Sequence, residues 1–266
     1  MKNIITSSFA LAVLALFNLV YADSLLATKT SNEFGLSLSS YEYQEPGLMS
    51  NKGPKIGGDL QSTLAFPEKL WVRGDAHLAV GSVDYTSPTS GTANGESDWY
   101  LETRGLIGKD TWAFDRAMLS PYAGLGYRYL YNDARGTTNL GASGYRRQSN
   151  YLYLPIGMTY RVALEGKAQL VTELEYDQLI IGKQFTRMSD AGLGYNDLSN
   201  NQNRGHGFKL SAKYAQDNWA IGPYANYWNI AQSETLPLYQ NGILVGHAWE
   251  PQNNTVEFGL KGSIRF

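Results

Sequence analysis

The sequence of residues 255–266 is TVEFGLKGSIRF. Its apolar side chains, from Val256 to Phe266, occupy the even positions, apart from a glycine at 262. Its charged side chains, Glu257, Lys261 and Arg265, occupy odd positions. Because the side chains of a β-strand alternate between its two faces, this pattern predicts a strand with one apolar and one charged face.

Ten segments of the chain share this period of two, and no helix of useful length interrupts them. They are residues 34–43, 56–66, 70–85, 99–107, 119–131, 151–162, 168–181, 207–215, 219–230 and 255–266. Most are near the ~9–11 residues that a tilted membrane strand needs, and an even number is typical of bacterial barrels. We therefore predict an all-β fold, a transmembrane antiparallel up-and-down β-barrel with ten strands. Eight strands with an external hairpin, and a soluble barrel with its apolar face inward, are the structural alternatives. Aromatic residues predicted near the membrane interfaces favour the membrane barrel over the soluble one; they are Phe66, Trp71, Trp99 and Trp219.

The predicted connections alternate in length. Long links follow the odd-numbered segments, at residues 44–55, 86–98, 132–150, 182–206 and 231–254. Shorter links follow the even-numbered segments, at residues 67–69, 108–118, 163–167 and 216–218. Outer-membrane barrels combine short periplasmic turns with longer extracellular loops, so the long links are predicted to be extracellular.

The first 22 residues predict export. Lys2 supplies a positive charge, residues 9–17 form an apolar run, and Val20 and Ala22 are small residues at the −3 and −1 positions of a cleavage site. The run is too short to cross ~30 Å of hydrocarbon as a helix. We predict a signal peptide at residues 1–22 and one barrel domain at residues 23–266.

Three segments carry a family resemblance: SPYAGLGY at 120–127, YLYLPIGMTY at 151–160 and IGPYANY at 221–227. They look like the small outer-membrane barrel superfamily that includes the OmpA transmembrane domain and the opacity proteins. The resemblance implies a location in the outer membrane of a Gram-negative bacterium, with outer-membrane lipids and the barrel-assembly machinery as partners. It also implies that Phe266 is an assembly signal, since that machinery reads a terminal Phe. The resemblance indicates a fold and not an activity.

Composition excludes several classes of function. The chain has no Cys, which removes disulfides, a lipoprotein anchor and thiolate metal sites, and its three His residues are scattered. Its net charge of −2 gives no sign of nucleic-acid binding. We therefore expect no metal site, no cofactor and no nucleic-acid partner.

The face opposite the apolar one carries charges of both signs, which we predict to form a network in the barrel lumen. The candidate residues are Arg73, Asp75, His77, Glu102, Arg104, Arg128, Arg161, Glu173, Glu175, Lys209, Glu257 and Lys261. Four further charged residues lie on the same face of their strands: Asp59, Asp177, Lys213 and Arg265. Buried charges are costly unless paired, so this balance favours a polar plug that fills the lumen, with a gated pore as the alternative.

Asp75 and His77 form an Asp-x-His sequence, which invites comparison with the omptin proteases. Those enzymes are also ten-stranded barrels, and they pair Asp-x-His with an Asp-x-Asp to activate water. The present chain contains no Asp-x-Asp. Its predicted strand rises from the periplasm, which places His77 low to midway in the barrel, whereas omptins cut at the outer rim. We interpret His77 as a lumen histidine bonded to a carboxylate.

The last long link contains a predicted hairpin around Asn241-Gly242, with apolar arms at 236–239 and 243–245. Exposed apolar loop residues usually contact something, either another part of the barrel mouth or a partner. We therefore predict a non-enzymatic surface barrel with a recognition or envelope-structural role, possessing an extracellular partner that contacts its loops. A narrow channel for small solutes or ions, and an omptin-like protease, are the alternatives.

Overall fold

The computed structural model describes residues 26–114, 116–192 and 194–266, so the predicted signal peptide lies outside the described residues. The described chain forms strands numbered in chain order. They are β1 (Ser31–Glu45), β2 (Met49–Ala65), β3 (Leu70–Ser87), β4 (Gly91–Lys109), β5 (Thr111–Phe114), β6 (Ala117–Thr137), β7 (Ser143–Ala163), β8 (Gln169–Thr186), β9 (Leu198–Asn201), β10 (Gly205–Ala215), β11 (Trp219–Ile230), β12 (Leu236–Gln240), β13 (Ile243–Ala248) and β14 (Asn253–Arg265). Short 3-10 turns lie at Pro67–Lys69 and Met188–Ala191. No helix in this part of the chain is long and apolar enough to cross a membrane.

Ten long strands form a closed antiparallel barrel. Their order around the barrel is β1, β2, β3, β4, β6, β7, β8, β10, β11 and β14, and β14 pairs back with β1. The closing register runs from Glu33 opposite Arg265 to Gln44 opposite Asn254. Closure leaves these strands without a free edge, which a sheet surrounded by lipid requires. The predicted ten-stranded up-and-down barrel is confirmed, and the eight-stranded alternative is wrong.

The apolar face points outward. Leu38, Ile56 and Phe258 are 65%, 62% and 62% exposed, whereas the alternate positions of the same strands are mostly buried. Trp99 packs on Tyr129 outside the barrel, with 5.1 Å between ring centroids. An outward apolar band with aromatic residues near its border is the surface that a membrane barrel presents, and the opposite of a soluble barrel.

The strands extend past this apolar band at one end of the barrel, here called the upper end. The predicted long links at 44–55, 86–98 and 132–150 are wrong as loops, because β1–β2, β3–β4 and β6–β7 stay paired up to residues 46–48, 88–90 and 138–142. These strand ends carry polar side chains on both faces, so the period of two that marks a membrane strand is absent from their sequence. The upper end is therefore built of tall hairpins.

At the opposite, lower end the connections are short and β1 begins where β14 ends. Phe266 closes this end through two backbone hydrogen bonds, with its N–H donating to Asn32 O at 2.9 Å and its O accepting from Asn32 N at 2.8 Å. The Phe266 side chain is 73% exposed. The terminal residue is therefore fixed by its backbone, and its ring faces outward.

The predicted hairpin in the last long link is confirmed as β12–β13. Its turn residues Asn241 and Gly242 have φ angles of 51° and 80°, the positive values that a two-residue type I′ turn requires. Asn241 N donates to Gly194 O at 2.9 Å, and Gln240 forms a bridge with Tyr195. The hairpin is therefore attached through β12 to the segment that follows β8, and it lies outside the barrel wall.

Candidate functional site in the barrel interior

A network of ion pairs occupies the middle of the lumen; we call it the central network. Its members are Arg73, Asp75, Glu102, Arg104, Glu173, Glu175 and Lys209, which project inward from β3, β4, β8 and β10. Arg104 binds Glu175 at 2.5 Å and Asp75 at 2.7 Å. Lys209 binds Glu175 at 3.0 Å and also contacts Glu102. Each carboxylate thus has a cation within reach, as buried charge demands.

Several of these pairs cross the lumen. Arg73 on β3 binds Glu173 on β8 at 3.2 Å, and β8 lies four strands further around a barrel of ten. Lys209 on β10 reaches Glu102 on β4, which is also four strands away. Side chains from nearly opposite walls therefore meet inside the barrel.

His77 lies beside the central network in a chain of hydrogen bonds. Its Nδ1 is 2.8 Å from Asp59 Oδ1, and its Nε2 is 2.9 Å from the hydroxyl of Tyr100. Tyr100 donates to Glu257 at 2.5 Å, and Lys261 donates to Asp59 at 2.7 Å. Both ring nitrogens of His77 therefore have a hydrogen-bond partner within the protein.

Above the central network lies a layer of buried aromatic rings, here called the aromatic layer: Tyr41, Tyr100, Tyr151, Tyr153 and Trp228. Each is at most 4% exposed. Tyr153 packs edge-on against Trp228, with 5.0 Å between centroids. The guanidinium of Arg128 lies 4.7 Å from the ring of Tyr100 and 5.4 Å from that of Trp228, so a cation–π contact joins β4, β6 and β11.

The sequence analysis predicted Arg128 among the lumen charges, but it did not predict that aromatic rings pack around it. Their inward parity was a usable signal, since Tyr151 and Tyr153 alternate with outward Leu152 and Leu154. Trp71, predicted at the outer interface, is a clear error. It is 1% exposed and packs inside against Tyr122 at 5.9 Å.

A second set of salt bridges lies above the aromatic layer. Arg147 on β7 binds Glu45 on β1 at 2.5 Å and also contacts Glu250. Lys55 on β2 binds Asp98 on β4 at 2.5 Å. These pairs lie in segments predicted as loops, where no face could be assigned, so they were missed.

Arg161, predicted as part of the same charge network, lies in a separate cluster at the lower end. It binds Asp110 at 3.3 Å and donates to the Ser120 hydroxyl at 2.7 Å. Asp110 also accepts from the backbone N–H of Thr28 at 2.6 Å. The Arg161 cluster therefore joins the start of the described chain to the lower rim.

The protruding hairpins β1–β2, β3–β4 and β6–β7 enclose a cavity of about 520 Å³ at the upper end, which we call the upper chamber. Asn51 and Glu96 line it and are only 3% and 8% exposed. Glu96 accepts a hydrogen bond from Asn132 at 3.2 Å. Burial raises the pKa of Glu96, with nearby Asp98 adding to the effect and the Asn132 hydrogen bond opposing it.

Cavity space within the central network is much smaller, at about 130 Å³ next to His77 and Arg104. The described residues contain no group of three or more His, Asp or Glu side chains arranged to hold a metal ion. The interior thus offers paired charges and packed rings around a small polar void.

The fold can now be compared with known proteins. The outer membrane protease OmpT of Escherichia coli superposes with a TM-score of 0.62, at 12% identity, over 90% of this chain and 97% of that one. The fold is that of an outer-membrane β-barrel. The transport unit of the autotransporter AIDA-I from E. coli matches with a TM-score of 0.49, at 12% identity, over 94% of this chain and 97% of its own. The NalP translocator domain of Neisseria meningitidis gives 0.44, at 12% identity, over 98% of each chain. No family model and no curated protein matches the sequence.

Proposed function

We propose that the protein is a plugged, non-enzymatic barrel of the bacterial outer membrane, and that its upper end recognises a partner outside the cell. The observation that carries this proposal is the aromatic layer with its cross-lumen ties. The signal peptide predicted at residues 1–22, the resemblance to the OmpA and opacity proteins and the outward apolar band support the location. The tall hairpins at the upper end and the short connections at the lower end support an upper end that faces away from the cell.

The packing of the interior argues against conduction. Arg128, Tyr153 and Trp228 are each at most 2% exposed, and together they contact one another from β6, β7 and β11. The cavity beneath them, next to the central network, measures about 130 Å³, much less than the 520 Å³ of the upper chamber. Opening a path through the lumen would separate buried ion pairs, and removing one partner of such a pair typically costs about 3–5 kcal/mol.

The histidine chemistry argues against an omptin-like hydrolase. His77 is held between Asp59 and Tyr100 beneath the aromatic layer, where a peptide substrate has no access. The sequence contains no Asp-x-Asp that could complete the omptin arrangement. The similarity to OmpT, at 12% identity, is a similarity of fold, and it gives no reason to assign the activity of OmpT to this protein.

The upper end provides the surface for recognition. The β12–β13 hairpin exposes Ile243, Leu244 and Val245 at 69%, 51% and 50%, although it lies outside the barrel wall. Three consecutive exposed apolar side chains on a structured hairpin are typical of a contact surface. Hydrogen bonds between Tyr239 and Asn196, and from Asn241 to Gly194, hold this hairpin against the segment that follows β8.

Planar-bilayer recording tests the proposal. We expect the wild-type protein to show no stable openings, and the double variant Arg128→Ala/Trp228→Ala to show them, because it removes the centre of the aromatic layer. Gln44→Ala, a change on the exposed outer face of β1, is the matched control and should stay closed. Stable wild-type openings that change when Arg128 or Glu173 is neutralised would make the protein a channel. Cleavage of a basic peptide that is lost in His77→Ala would make it a protease.

A further inference from the structure

The charges around the upper chamber are paired, with one exception. Arg147 is bound by Glu45 and Glu250, Arg135 binds Asp133 at 2.7 Å, and Lys55 binds Asp98 at 2.5 Å. Glu96 has no ion pair within 4 Å among the described residues, and it accepts a hydrogen bond from the neutral side chain of Asn132. The chamber wall therefore contains a buried carboxylate with no cation within 4 Å among the described residues.

Asn51 gives a second, independent observation. It lines the same chamber from β2, it is 3% exposed, and its Oδ1 atom has no hydrogen-bond partner. A buried acceptor left unsatisfied costs about 1–3 kcal/mol. The chamber wall thus contains a carboxylate without a salt bridge and a buried amide oxygen without a hydrogen-bond donor.

From this geometry we infer that the upper chamber binds a primary alkylammonium ligand, whose N–H groups donate to the Glu96 carboxylate, while the side-chain amide of Asn51 lines the same wall. A single unpaired carboxylate fits one positive charge on a three-donor group better than a divalent metal, which takes several oxygen ligands. Leu48, Met49 and Ala93 also line the chamber and provide apolar surface for a short carbon chain. The volume of about 520 Å³ lies within the usual range for small-molecule sites.

This inference rests on the proposed recognition role of the upper end and names the chemistry that it recognises. Titration calorimetry with 1,5-diaminopentane on the detergent-refolded barrel tests it. We expect saturable binding that weakens at least tenfold in Glu96→Gln and several-fold in Asn51→Ala. Glu42→Gln is the matched control, because Glu42 is a carboxylate at a similar height on the outer side of β1, paired with exposed Lys52 at 3.5 Å. That variant should bind like the wild type. The heat-dependent gel shift of each variant verifies that its barrel has formed.

Three results would overturn the inference: equal binding of neutral 1-pentanol, unchanged binding in Glu96→Gln, or tighter binding of 1-pentylguanidine, which carries a guanidinium and no primary ammonium. Either of the first two results would show that the ligand does not bind through the Glu96 carboxylate. The third would show that the chamber prefers a guanidinium to a primary ammonium. A barrel that conducts but still binds diaminopentane through Glu96 refutes the plug and keeps the site. A barrel that stays closed but binds no amine refutes only the site.

Discussion

Arg147 on β7 lies 2.5 Å from Glu45 on β1, and these strands are the sixth and the first of the ten that form the barrel. The two residues thus join diametrically opposite walls above the membrane band. Together with Arg73–Glu173 in the middle of the lumen, the pair shows that the barrel is braced across its width at more than one height. A barrel braced in this way resists changes in its cross-section, which is consistent with a plug.

Breaking the central network should be costly. In Arg104→Ala, Glu175 and Asp75 lose the cation that binds them at 2.5 and 2.7 Å. We expect the free energy of unfolding to fall by about 3–5 kcal/mol, because two carboxylates are left buried near one remaining cation each. Denaturant unfolding in phospholipid vesicles measures the change. Arg135→Ala instead breaks an exposed pair that solvent screens, and it should change the stability far less. A similar loss in both variants would show that the network is solvated.

A charged side chain placed on the outer face at mid-height should lower the stability of the barrel. Leu260 is 53% exposed and pairs with Leu38 in the closing β1–β14 register, within the apolar band. We expect Leu260→Arg to destabilise the barrel by about 2–4 kcal/mol in the same unfolding measurement, since the cation would face hydrocarbon. Gln44→Arg lies on the same outer face above the band and should be nearly neutral. Equal stability of the two variants would mean that the membrane does not cover residue 260.

The salt bridge between Arg146 on β7 and Asp190 in the segment after β8 should persist at moderately acidic pH. Arg146 donates two hydrogen bonds of 2.7 Å to Asp190, and these bonds lower the pKa of Asp190 to about 2 from an ordinary 3.8. A lowered carboxyl pKa stabilises the fold above the unfolded value, and that contribution is lost as the pH falls through about 2. Limited proteolysis at residues 187–204 should therefore be constant from pH 7 to about pH 4 in the wild type.

In Asp190→Asn, cleavage at residues 187–204 should rise several-fold at pH 7, because the ionic tie is gone. Asp217→Asn is the control, since Asp217 forms an exposed pair with Lys167 at the other end of the barrel. A wild-type cleavage rate that already climbs near pH 5 would contradict the lowered pKa.

Glu96 should destabilise the ligand-free protein at neutral pH. Its pKa is raised by burial and by the nearby carboxylates of Asp98 and Asp133, while Asn132 and Arg147 oppose the shift. A raised carboxyl pKa costs nothing below the unfolded value, and the cost grows as the pH rises above it. We expect Glu96→Gln to raise the unfolding temperature at pH 7 but not at pH 3. An equal gain at both pH values would assign the effect to packing.

Phe266 should affect assembly more than stability. Phe266→Ala keeps both backbone hydrogen bonds to Asn32 and removes only an exposed ring. We expect slower insertion in cells, measured as the unfolded fraction on unheated gels, with little change in the unfolding of the purified barrel in detergent. Ile264→Ala removes another exposed apolar side chain of β14 and is the control. A comparable insertion defect in both variants would mean that position 266 has no special role.

The parity of the strands made much of the interior predictable. Arg73, Arg104 and Glu175 could be placed in the lumen because the alternate positions of their strands carry outward apolar residues, such as Leu78, Ile107 and Leu174. Which carboxylate binds which cation could not be predicted, since pairs such as Arg73 and Glu173 join strands that are distant in sequence and do not hydrogen-bond to each other.

The upper end was less predictable for a physical reason. Above the membrane both faces of a strand contact polar surroundings, so Asn51, Glu96 and Arg147 lie in sequence without an apolar alternation and were assigned to loops. The prediction for Trp71 was wrong for a different reason. Aromatic residues suit both the membrane border and a packed lumen, and only its odd position in β3, shared with Arg73, indicates the inward side.

The tips of the upper hairpins give this barrel a use in protein engineering. β1 and β2 remain paired up to Glu45 and Met49, and the turn between them contains Gly47 with a φ of 77° and open space around it. A foreign peptide grafted at residues 46–48 would be carried on a paired ladder whose base is clamped by Arg147 and Glu45. The insert would be displayed at a fixed distance from the membrane, and the lumen below would remain undisturbed.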